Sequence, residues 1–431
     1  MKFHAKLTLT AVLMLLVMNS SDISAQTSIE DLIAHPEYTG GVHLNYPEPS
    51  GKPTKAPKGY KPFFINHIAR HGSRYLVWEP NYTQPLEALR RADSLGVLTS
   101  LGKDVLGRCE AVWEEAHDRI GELTPLGVLQ HRGVAERMYR NYPSVFSKGA
   151  HVVARSTTVP RCMLSMMACC DRLKELEPTL DMTKTASGRD ALHIASTGKK
   201  YSEYKRTHKS SEKVAAFFKE HRNSERFVAS LISDKAYADT AVDGQALMTN
   251  LFATAYIQQD CPKPVELMDI FTDQERIDMW QCGNLGFYIN NGPSPESEGM
   301  NRFSQMALLR DFIHTADDAI ENGGVAASLR FSHDSYILPF TNTLMLSDCS
   351  GEASEPGDLY KVWCDFKVCP MCANVQMVFY RNKAGNVIVK FLHNENEVGI
   401  PVETDMYPFY NWSDVKAFYQ KEYDYDNDQS L

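Results

Sequence analysis

Residues 63–74 read FFINHIARHGSR. The run from 63 to 69 is mostly apolar and follows a segment rich in proline and glycine, a pattern that predicts a buried β-strand. This strand is predicted to lead directly into Arg70, His71 and Arg74. In open α/β sheets, ligands bind beyond the carboxyl ends of the strands. We therefore expect this stretch to supply a central strand and a functional site.

Two other segments have the same arrangement. Residues 151–154 and 326–332 are predicted strands that end at Arg155 and at His333-Asp334, respectively. The remaining predicted elements are helices at 84–120, 125–139, from 161 onward and around 301–320, and strands at 375–380 and 387–392. Strands alternating with helices predict an α/β fold with a mainly parallel sheet and helices on both faces.

Residues 186–310 differ in composition from the rest of the chain. They are polar, rich in Lys and Glu, and helical in pattern. We expect them to form an inserted α-helical cap subdomain, with an α/β catalytic core built from 26–185 and 311–431.

The first 25 residues predict a signal peptide. They combine early positive charge, a short apolar run and small residues before the cleavage point: Lys2, Lys6, 7–18, Ser24 and Ala25. An uncleaved anchor is the alternative, but the run is shorter than a membrane-spanning helix requires. We expect an exported protein, periplasmic or extracellular, with no stable membrane insertion after cleavage.

The ten cysteines all follow this segment, where export would allow disulfides. Cys369 and Cys372 form a Cys-x-x-Cys pair that is compatible with a redox pair, half of a zinc site, a local disulfide or two buried thiols. A second such pair is missing from the sequence, and this one precedes a predicted strand instead of opening a helix. These features favour a disulfide or buried thiols.

Composition limits the classes of partner. The chain has 431 residues, with 45 Lys and Arg against 54 Asp and Glu, and a formal net charge of −9. Affinity for nucleic acid or for anionic membranes requires clustered Lys and Arg, so neither is expected as a partner. A small anionic substrate needs only a local basic pocket and stays compatible with the sequence.

The residues around His71 suit a phosphate group. Arg70 and Arg74 would provide bidentate, permanently charged donors, and Gly72 permits close approach of the backbone. A neutral imidazole can attack phosphorus and carry the phosphoryl group as a covalent intermediate. The flanking charges would lower the pKa of His71 and favour that neutral form. A surface loop with chance charges is the alternative interpretation.

Arg155 and Arg161 are further candidates for phosphate binding. Arg155 follows the second strand, and Arg161 stands where the next helix is predicted to begin. Free N–H groups at a helix N-terminus attract an anion, and an Arg there adds positive charge. An exposed Arg without a catalytic role is the alternative for each.

His333 and Asp334 complete the predicted set. His333 could donate a hydrogen bond to a phosphate oxygen, and Asp334 could protonate the leaving oxygen as a general acid. Nearby arginines would tend to keep Asp334 ionised, so burial or the charge of the substrate must hold its proton. This requirement predicts an acidic pH optimum. A helix N-cap is the alternative role for Asp334.

Other catalytic patterns are incomplete. His67 and His71 are spaced as in a zinc-binding His-Glu-x-x-His motif, but Ile68 stands where Glu is required. The sequence around Ser73 lacks the Gly-x-Ser-x-Gly motif of serine hydrolases. The chain has no P-loop motif for nucleotide phosphates.

Residues 68–74 resemble the catalytic motif of the histidine acid phosphatases, clade 2 of the histidine phosphatase superfamily. Three other segments are similar to motifs of this family: Arg155-Ser156-Thr157 with Arg161, Cys162 and Ser165; His333-Asp334; and Leu392-His393-Asn394-Glu395 followed by Pro401. The resemblance spans roughly residues 40–405. It implies a phosphoglycerate mutase-like α/β core with a helical cap, and neither metal nor cofactor.

The likeness is greatest to multiple inositol polyphosphate phosphatases and phytases, through residues 124–127 and 137–143 and the Arg161-Cys162 pair. It implies His71 as the phosphorylated nucleophile and Asp334 as the acid. The implied phosphate clamp consists of Arg70, Arg74, Arg161 and His333.

The implied activity is hydrolysis of small polyanionic phosphate esters, above all inositol polyphosphates including phytate, through a phosphohistidine. Multiple inositol polyphosphate phosphatases usually carry His-Ala-Glu, however, where this chain has His333-Asp334-Ser335. A broad-specificity or sugar-phosphate acid phosphatase is therefore the alternative enzyme. A non-catalytic protein that binds phosphate esters is the alternative from another class.

Overall fold

The structure is a computed structural model that describes residues 26–49 and 51–423. The predicted signal peptide, residues 1–25, lies outside the described residues. The strands are β1 (Lys61–Arg70), β2 (His151–Ser156), β3 (Asp181–Ala186), β4 (Val325–Ser332), β5 (Asn374–Arg381), β6 (Val387–His393), β7 (Asn396–Val398) and β8 (Phe409–Asn411).

Helices cover both faces of the sheet, and several others pack together away from it. They are α1 (Ile29–Ala34), α2 (Pro80–Ser94), α3 (Ser100–Ala116), α4 (Pro125–Asn141), α5 (Pro160–Leu176), α6 (Gly188–Ile194), α7 (Lys199–Thr207), α8 (Glu212–Glu220), α9 (Glu225–Leu231), α10 (Lys235–Ala241), α11 (Gly244–Tyr256), α12 (Asp273–Asn291), α13 (Met306–Glu321), α14 (Asp334–Thr343), α15 (Asp365–Val368) and α16 (Trp412–Tyr423). Short 3₁₀ helices include Pro36–His43 and Ile257–Asp260.

One eight-stranded sheet has the order β3-β2-β4-β1-β5-β6-β7, with β8 paired to β6. The pairs β1–β4, β2–β4 and β2–β3 are parallel. β5 joins β1 in the antiparallel sense and begins an antiparallel edge. The predicted α/β fold with mostly parallel core strands is therefore confirmed.

β1 is apolar along most of its length because both of its faces are covered. Successive side chains of a strand point to opposite faces of the sheet. Phe64 and Ile68 enter an apolar core that includes α13 and α14, whereas Ile65 and Ala69 enter a second core that includes α4 and α5.

The carboxyl ends of β1, β2 and β4 meet at one edge of the sheet. Arg70 lies opposite Ser332, and Ser156 lies opposite Phe331. His333 and the residues that follow Arg70 and Ser156 therefore leave the sheet at neighbouring positions. This register brings the predicted site segments together.

Two elements differ from the sequence-based expectation. Residues 84–120 form two helices instead of one continuous segment, and between them Gly96 adopts a φ of 68°, which glycine tolerates without strain. β3 was not predicted, because its sequence is polar. Among the described strands it pairs with β2 alone, at the edge of the sheet, where most of its side chains reach solvent.

A third apolar core lies away from the sheet. It joins residues of α2 and α3 to residues of α9 and α11, such as Leu86, Val105, Leu231 and Leu251. Helices on both sides of residue 186 thus share one core. The division of the chain at residues 185 and 310 stays a prediction.

Within residues 26–49 and 51–423, no helix has both the length and the apolar character needed to cross a membrane. All ten cysteines are free thiols, and each of them except Cys261 is buried. Of the two favoured interpretations of Cys369 and Cys372, the structure therefore has the buried thiols.

Candidate active site

We call residues Arg70–Arg74 the arginine loop. It begins with the last residue of β1 and is closely packed. The first turn of α4 presses on this loop, so that a Cβ added to Gly72 would lie 2.5 Å from the carbonyl oxygen of Gly127. Real Cβ atoms do not approach backbone so closely, and only glycine fits at position 72. The N–H of Gly72 donates to the hydroxyl of Ser165 on α5, at 3.2 Å. Two helices thus fix the path of the loop.

His71 is buried at the centre of the site, with 1% of its surface exposed. Its Nδ1 lies 3.0 Å from the carbonyl oxygen of Gly72. A carbonyl can only accept, so Nδ1 carries the ring proton and Nε2 keeps its lone pair. Burial and the neighbouring guanidiniums of Arg70, Arg74 and Arg161 hold the pKa of His71 well below its usual value. The structure therefore favours the neutral form of His71, with the lone pair on Nε2.

Arg70 is held by three different parts of the chain. Its Nη1 donates to the carbonyl oxygens of Val42 and Cys369, the latter at 3.0 Å. Its Nη2 donates to Oδ2 of Asp334 at 2.7 Å. These contacts fix the guanidinium of Arg70 in place before any substrate binds.

Arg74 lies beside a histidine that the sequence did not single out. Its Nη1 donates to the carbonyl oxygen of Tyr75 at 3.0 Å, and its Nη2 faces Nε2 of His43 at 3.4 Å. The ring of His43 stacks on Tyr256, with 4.5 Å between the ring centroids. Burial lowers the pKa of Arg74 to about 10, so it remains charged at neutral pH.

Arg161 and His333 lie across the site from the arginine loop. Arg161 is the second residue of α5, and its Nη2 lies 3.3 Å from Nδ1 of His333. The other ring nitrogen of His333 lies 3.2 Å from Oγ1 of Thr157. The ring centroids of His333 and His71 are 5.6 Å apart. A phosphate oxygen would have to replace one of these contacts in order to bind His333 directly.

Asp334 begins α14, and its Oδ1 accepts the N–H of Ser335 at 2.7 Å. Burial raises the pKa of Asp334, but the charges of Arg70 and Arg74 outweigh it and bring the pKa below its usual value. Asp334 is therefore ionised at neutral pH when the site is empty, as the sequence predicted for an acid beside arginines.

Arg155 lies apart from these groups. Its Nη1 and Nη2 bind the two oxygens of Asp311 on α13, with the first contact at 3.0 Å. Asp311 also accepts from Nε of the fully buried Arg330 at 2.6 Å. The structure thus gives Arg155 a carboxylate partner, and we leave it out of the proposed phosphate clamp.

Two features of the site were not predicted from the sequence: the position of His43 beside Arg74 and the contact between Thr157 and His333. His43 lies in the 3₁₀ helix Pro36–His43, far from any predicted strand end, so no pattern in the sequence indicated it. Thr157 follows β2 directly, and this position at a strand end could have indicated that it lies in the site.

A cavity of about 400 Å³ opens next to His43. Its lining combines aromatic and amide side chains with few charges, and includes His43, Asn81, Arg222, Gln245, Phe252, Tyr256, Trp280 and Asp365. Arg222 is the one Arg or Lys among its lining residues. The cavity could therefore accept a polar or aromatic group, but it offers little positive charge beyond the arginine loop.

A separate cluster has the composition of a metal site. Asp348, Cys349 and His393 lie close enough together to share an ion. Nδ1 of His393 lies 2.7 Å from Oδ2 of Asp348, and its Nε2 lies 2.8 Å from the carbonyl oxygen of Val368. These hydrogen bonds occupy both ring nitrogens, so an Asp–His pair accounts for the cluster.

The sequence profile of the histidine phosphatase superfamily, branch 2, matches residues 64–394. A search of curated protein sequences found no significant match. Solved structures with a similar fold include the multiple inositol polyphosphate phosphatase of Bifidobacterium longum in complex with inositol hexasulfate. That structure has a TM-score of 0.73 and 19% identity, and the match covers 89% of this chain and 97% of that one.

Two phytases are also similar. The phytase of D. castellii has a TM-score of 0.62 and 13% identity, with 92% of this chain and 91% of that chain covered. The apo form of Hafnia alvei phytase has a TM-score of 0.54 and 14% identity, with coverages of 85% and 98%. At such identities, these similarities establish the fold.

Proposed function

Because the chain belongs to branch 2 of the histidine phosphatase superfamily, we propose that it is an exported, metal-independent phosphomonoesterase. We propose inositol polyphosphates, including phytate, as its substrates. The observation that carries the proposal is the free lone pair on Nε2 of buried His71, which lies among the guanidiniums of Arg70, Arg74 and Arg161. Neutral imidazole surrounded by fixed positive charge is suited to attack a phosphate ester.

In the first step, Nε2 of His71 attacks phosphorus and the bond from phosphorus to the alcohol oxygen breaks. The arginines stabilise the negative charge on the phosphoryl oxygens. Asp334 gives its proton to the leaving alcohol oxygen, so the products are a free alcohol and a phosphohistidine. In the second step, Asp334 takes a proton from water and the water oxygen attacks phosphorus. The bond from phosphorus to Nε2 breaks, which releases inorganic phosphate and restores neutral His71.

Asp334 must acquire a proton before it can act as an acid. In the empty site it pairs with Arg70 at 2.7 Å. An incoming phosphate adds negative charge and competes for Arg70, and both effects raise the pKa of Asp334. This requirement is met most readily at acidic pH.

The substrate proposal draws support from the similar structure that holds inositol hexasulfate, a polyanion on an inositol ring. A specific observation favours a second candidate, a broad-specificity or sugar-phosphate acid phosphatase. The cavity beside His43 contains a single Arg, Arg222, among its lining residues. Several phosphates on one substrate would find few cationic partners there.

Relative rates on phytate, glucose 1-phosphate and an aryl phosphate separate the two candidates. A strong preference for phytate supports the inositol polyphosphate assignment, whereas comparable rates on all three esters reject it and favour the second candidate.

Rapid acid quench with labelled substrate should trap phosphate on His71. Tight binding without labelled protein would instead indicate a non-catalytic binding protein.

A further inference from the structure

Ser73, in the middle of the arginine loop, lies in a buried network of polar side chains. Its hydroxyl oxygen lies 2.6 Å from Oδ1 of Asp260, 2.8 Å from Nε2 of Gln130 and 3.2 Å from Oδ1 of Asn45. These partners come from the 3₁₀ helix after α11, from α4 and from the N-terminal segment. Three parts of the chain that are distant in sequence therefore meet on one residue of the loop.

Backbone partners fix the orientation of both amides. Oε1 of Gln130 accepts the N–H of Ser73 at 2.8 Å, so the Gln130 amino group faces the hydroxyl. Nδ2 of Asn45 donates to the carbonyl oxygen of Gln259 at 2.9 Å, so the Asn45 oxygen faces the hydroxyl. Gln130 is thus a donor to the Ser73 oxygen, whereas Asn45 can only accept from it.

The number of available hydrogens indicates the protonation state of Asp260. The Ser73 hydroxyl has one hydrogen, and oxygens of both Asn45 and Asp260 face it. An ionised Asp260 would leave one of these oxygens without a donor. A protonated Asp260 can donate to Ser73, which then donates to Asn45, while Gln130 supplies the second donor to the hydroxyl oxygen. All polar atoms around the hydroxyl are then paired.

The surroundings of Asp260 also favour its neutral form. Asp260 is fully buried, and its Oδ2 has no hydrogen-bond partner among the described residues. Leaving a charged oxygen buried and unpaired is costly. Burial raises the pKa of Asp260 to about 7, against the hydrogen bond from Ser73 and the charges of Arg74 and Arg70.

The other titratable neighbours of Asp260 stay neutral through this pH range. Burial raises the pKa of Tyr256 and that of Cys261 to about 12. Asn45 and Gln130, which share the Ser73 hydroxyl with Asp260, do not titrate. Arg70 and Arg74 are thus the charged groups that an ionised Asp260 would influence.

We propose that Asp260 is a positioning residue that holds the arginine loop as a neutral carboxylic acid and sets an alkaline limit on oxyanion binding. This inference rests on the proposed phosphatase function of the same site. When Asp260 loses its proton, the Ser73 hydrogen moves from Asn45 to Asp260. A negative charge then appears beside Arg74, and the site attracts an oxyanion less strongly.

The protonation state can be observed without turnover. The difference infrared spectrum between the wild type and Asp260→Asn should contain the carbonyl stretch of a protonated carboxyl group at mildly acidic pH, and this band should disappear at alkaline pH. A spectrum that shows a carboxylate for Asp260 throughout would overturn the proposal.

Sulfate affinity tests the link to the site, because sulfate stays a dianion while phosphate itself titrates. Wild-type affinity should fall at least about threefold between about pH 6 and pH 8.5, since an added charge near Arg74 acts at short range. Asp260→Asn, which keeps a donor for Ser73, should bind sulfate almost equally well at both pH values. An unchanged pH dependence in Asp260→Asn contradicts the proposal.

Asp365→Asn is the matched control. Asp365 is a second buried acid near Arg70, and burial raises its pKa to about 6. This variant should keep both the infrared band of Asp260 and the alkaline fall in sulfate affinity. If Asp365→Asn loses the alkaline decrease in sulfate affinity while Asp260→Asn keeps it, then the effect belongs to Asp365 and the proposal is wrong.

These outcomes are separable from those of the proposed function. If sulfate binding shows the expected pH dependence but no phosphate ester is hydrolysed, then the enzymatic proposal fails and the assignment of Asp260 stands. If phosphohistidine forms but Asp260→Asn leaves the pH dependence unchanged, then the assignment of Asp260 fails and the enzymatic proposal stands.

Discussion

The arginines around His71 lower the pKa of both proposed reacting residues, but the consequences for the two residues are opposite. They contribute to the low pKa of His71, which keeps its lone pair available for attack. They also lower the pKa of Asp334, which removes the proton that a general acid must donate. A bound phosphate would restore that proton by offsetting the same charges. Substrate binding and activation of the acid are therefore coupled.

Substitution of the two reacting residues should have different consequences. His71→Ala should abolish turnover, because no other described group at the centre of the site offers a free imidazole lone pair.

Asp334→Asn should lower kcat on phytate by about 10²- to 10⁴-fold, the usual contribution of a general acid. The loss should be smaller on an aryl phosphate, whose leaving group needs less protonation. Equal losses on both substrates would argue against Asp334 as the acid.

The pH profile follows from the sign of the Asp334 shift. Bound phosphate raises the pKa of Asp334 from its low value in the empty site, while the neighbouring arginines continue to favour the carboxylate. Because a general acid must carry its proton, kcat should fall as the pH rises from acidic to neutral. Measured kcat profiles should show this fall in the wild type, and Asp334→Asn should lose it. A kcat that increases toward neutral pH in the wild type would contradict the assignment.

Arg161 and Arg155 provide a comparison between two arginines with different partners. Arg161→Ala should raise KM and lower kcat, because its guanidinium lies beside His333 in the site. Arg155→Ala should leave KM nearly unchanged and lower the free energy of unfolding by about 1–3 kcal/mol through the loss of a partner for Asp311. Steady-state kinetics and urea unfolding of both variants test the distinction. A raised KM for Arg155→Ala would instead indicate that Arg155 takes part in phosphate binding.

Among the secondary-structure elements, β2 shows why strand-end position alone did not place Arg155. Arg155 lies within β2, and its side chain reaches Asp311 on α13. Thr157 follows the last residue of the strand, and its side chain reaches His333. The sequence indicates that a strand ends here, but the partner of each side chain depends on which elements pack around the strand end.

The contact between β1 and α4 should make the protein sensitive to acid. His67 on β1 and His131 on α4 are both fully buried, and burial lowers the pKa of each to about 3. An unfolded chain would bind protons at these residues near pH 6.5. Their contribution to stability is therefore complete above that pH and is lost as the pH falls toward 3, by about 1.4 kcal/mol per pH unit for each histidine.

His131→Leu should reduce this pH dependence. Between about pH 4.5 and 6, the free energy of unfolding of the variant should change by about 1.4 kcal/mol less per pH unit than that of the wild type. Urea unfolding at several pH values measures the two slopes. The comparison removes contributions shared by both proteins, such as those of His71 and His333. Identical slopes would show that His131 is not buried as a neutral side chain.

In the whole molecule, contacts between distant parts of the chain complete the site. Arg70 binds the carbonyl of Cys369, 299 residues away, and Ser73 binds Asp260, 187 residues away. The N-terminal segment contributes His43 through its stack on Tyr256. Separate regions therefore have to fold together before the arginine loop takes its final shape.

The net charge of the whole chain, −9, should limit long-range attraction of an anionic substrate. The positive groups act mainly within the site, where salt screens them less than it screens exposed charges. We expect kcat/KM on phytate to change by less than about threefold between about 50 and 200 mM salt. Rates measured at constant pH check this, and a tenfold decrease would reveal a long-range positive field.

The sequence alone predicts the central strand, the parallel core and a group of candidate site residues: His71, Arg70, Arg74, Arg161, His333 and Asp334. Each of these residues stands at or just after a predicted strand end, except Arg161, which stands at the predicted start of the helix after the second strand. Strand periodicity and the topology of parallel sheets place such residues at a common edge. The roles proposed for them stay predictions.

Three features become evident only in the folded molecule: the partner of Arg155, the position of His43 beside Arg74 and the network around Asp260. Each depends on contacts between residues that are far apart in sequence, and local patterns carry no information about such contacts. Burial is likewise a property of the packed molecule, so the neutral state of His71 and the charge of Asp334 in the empty site follow from what surrounds them.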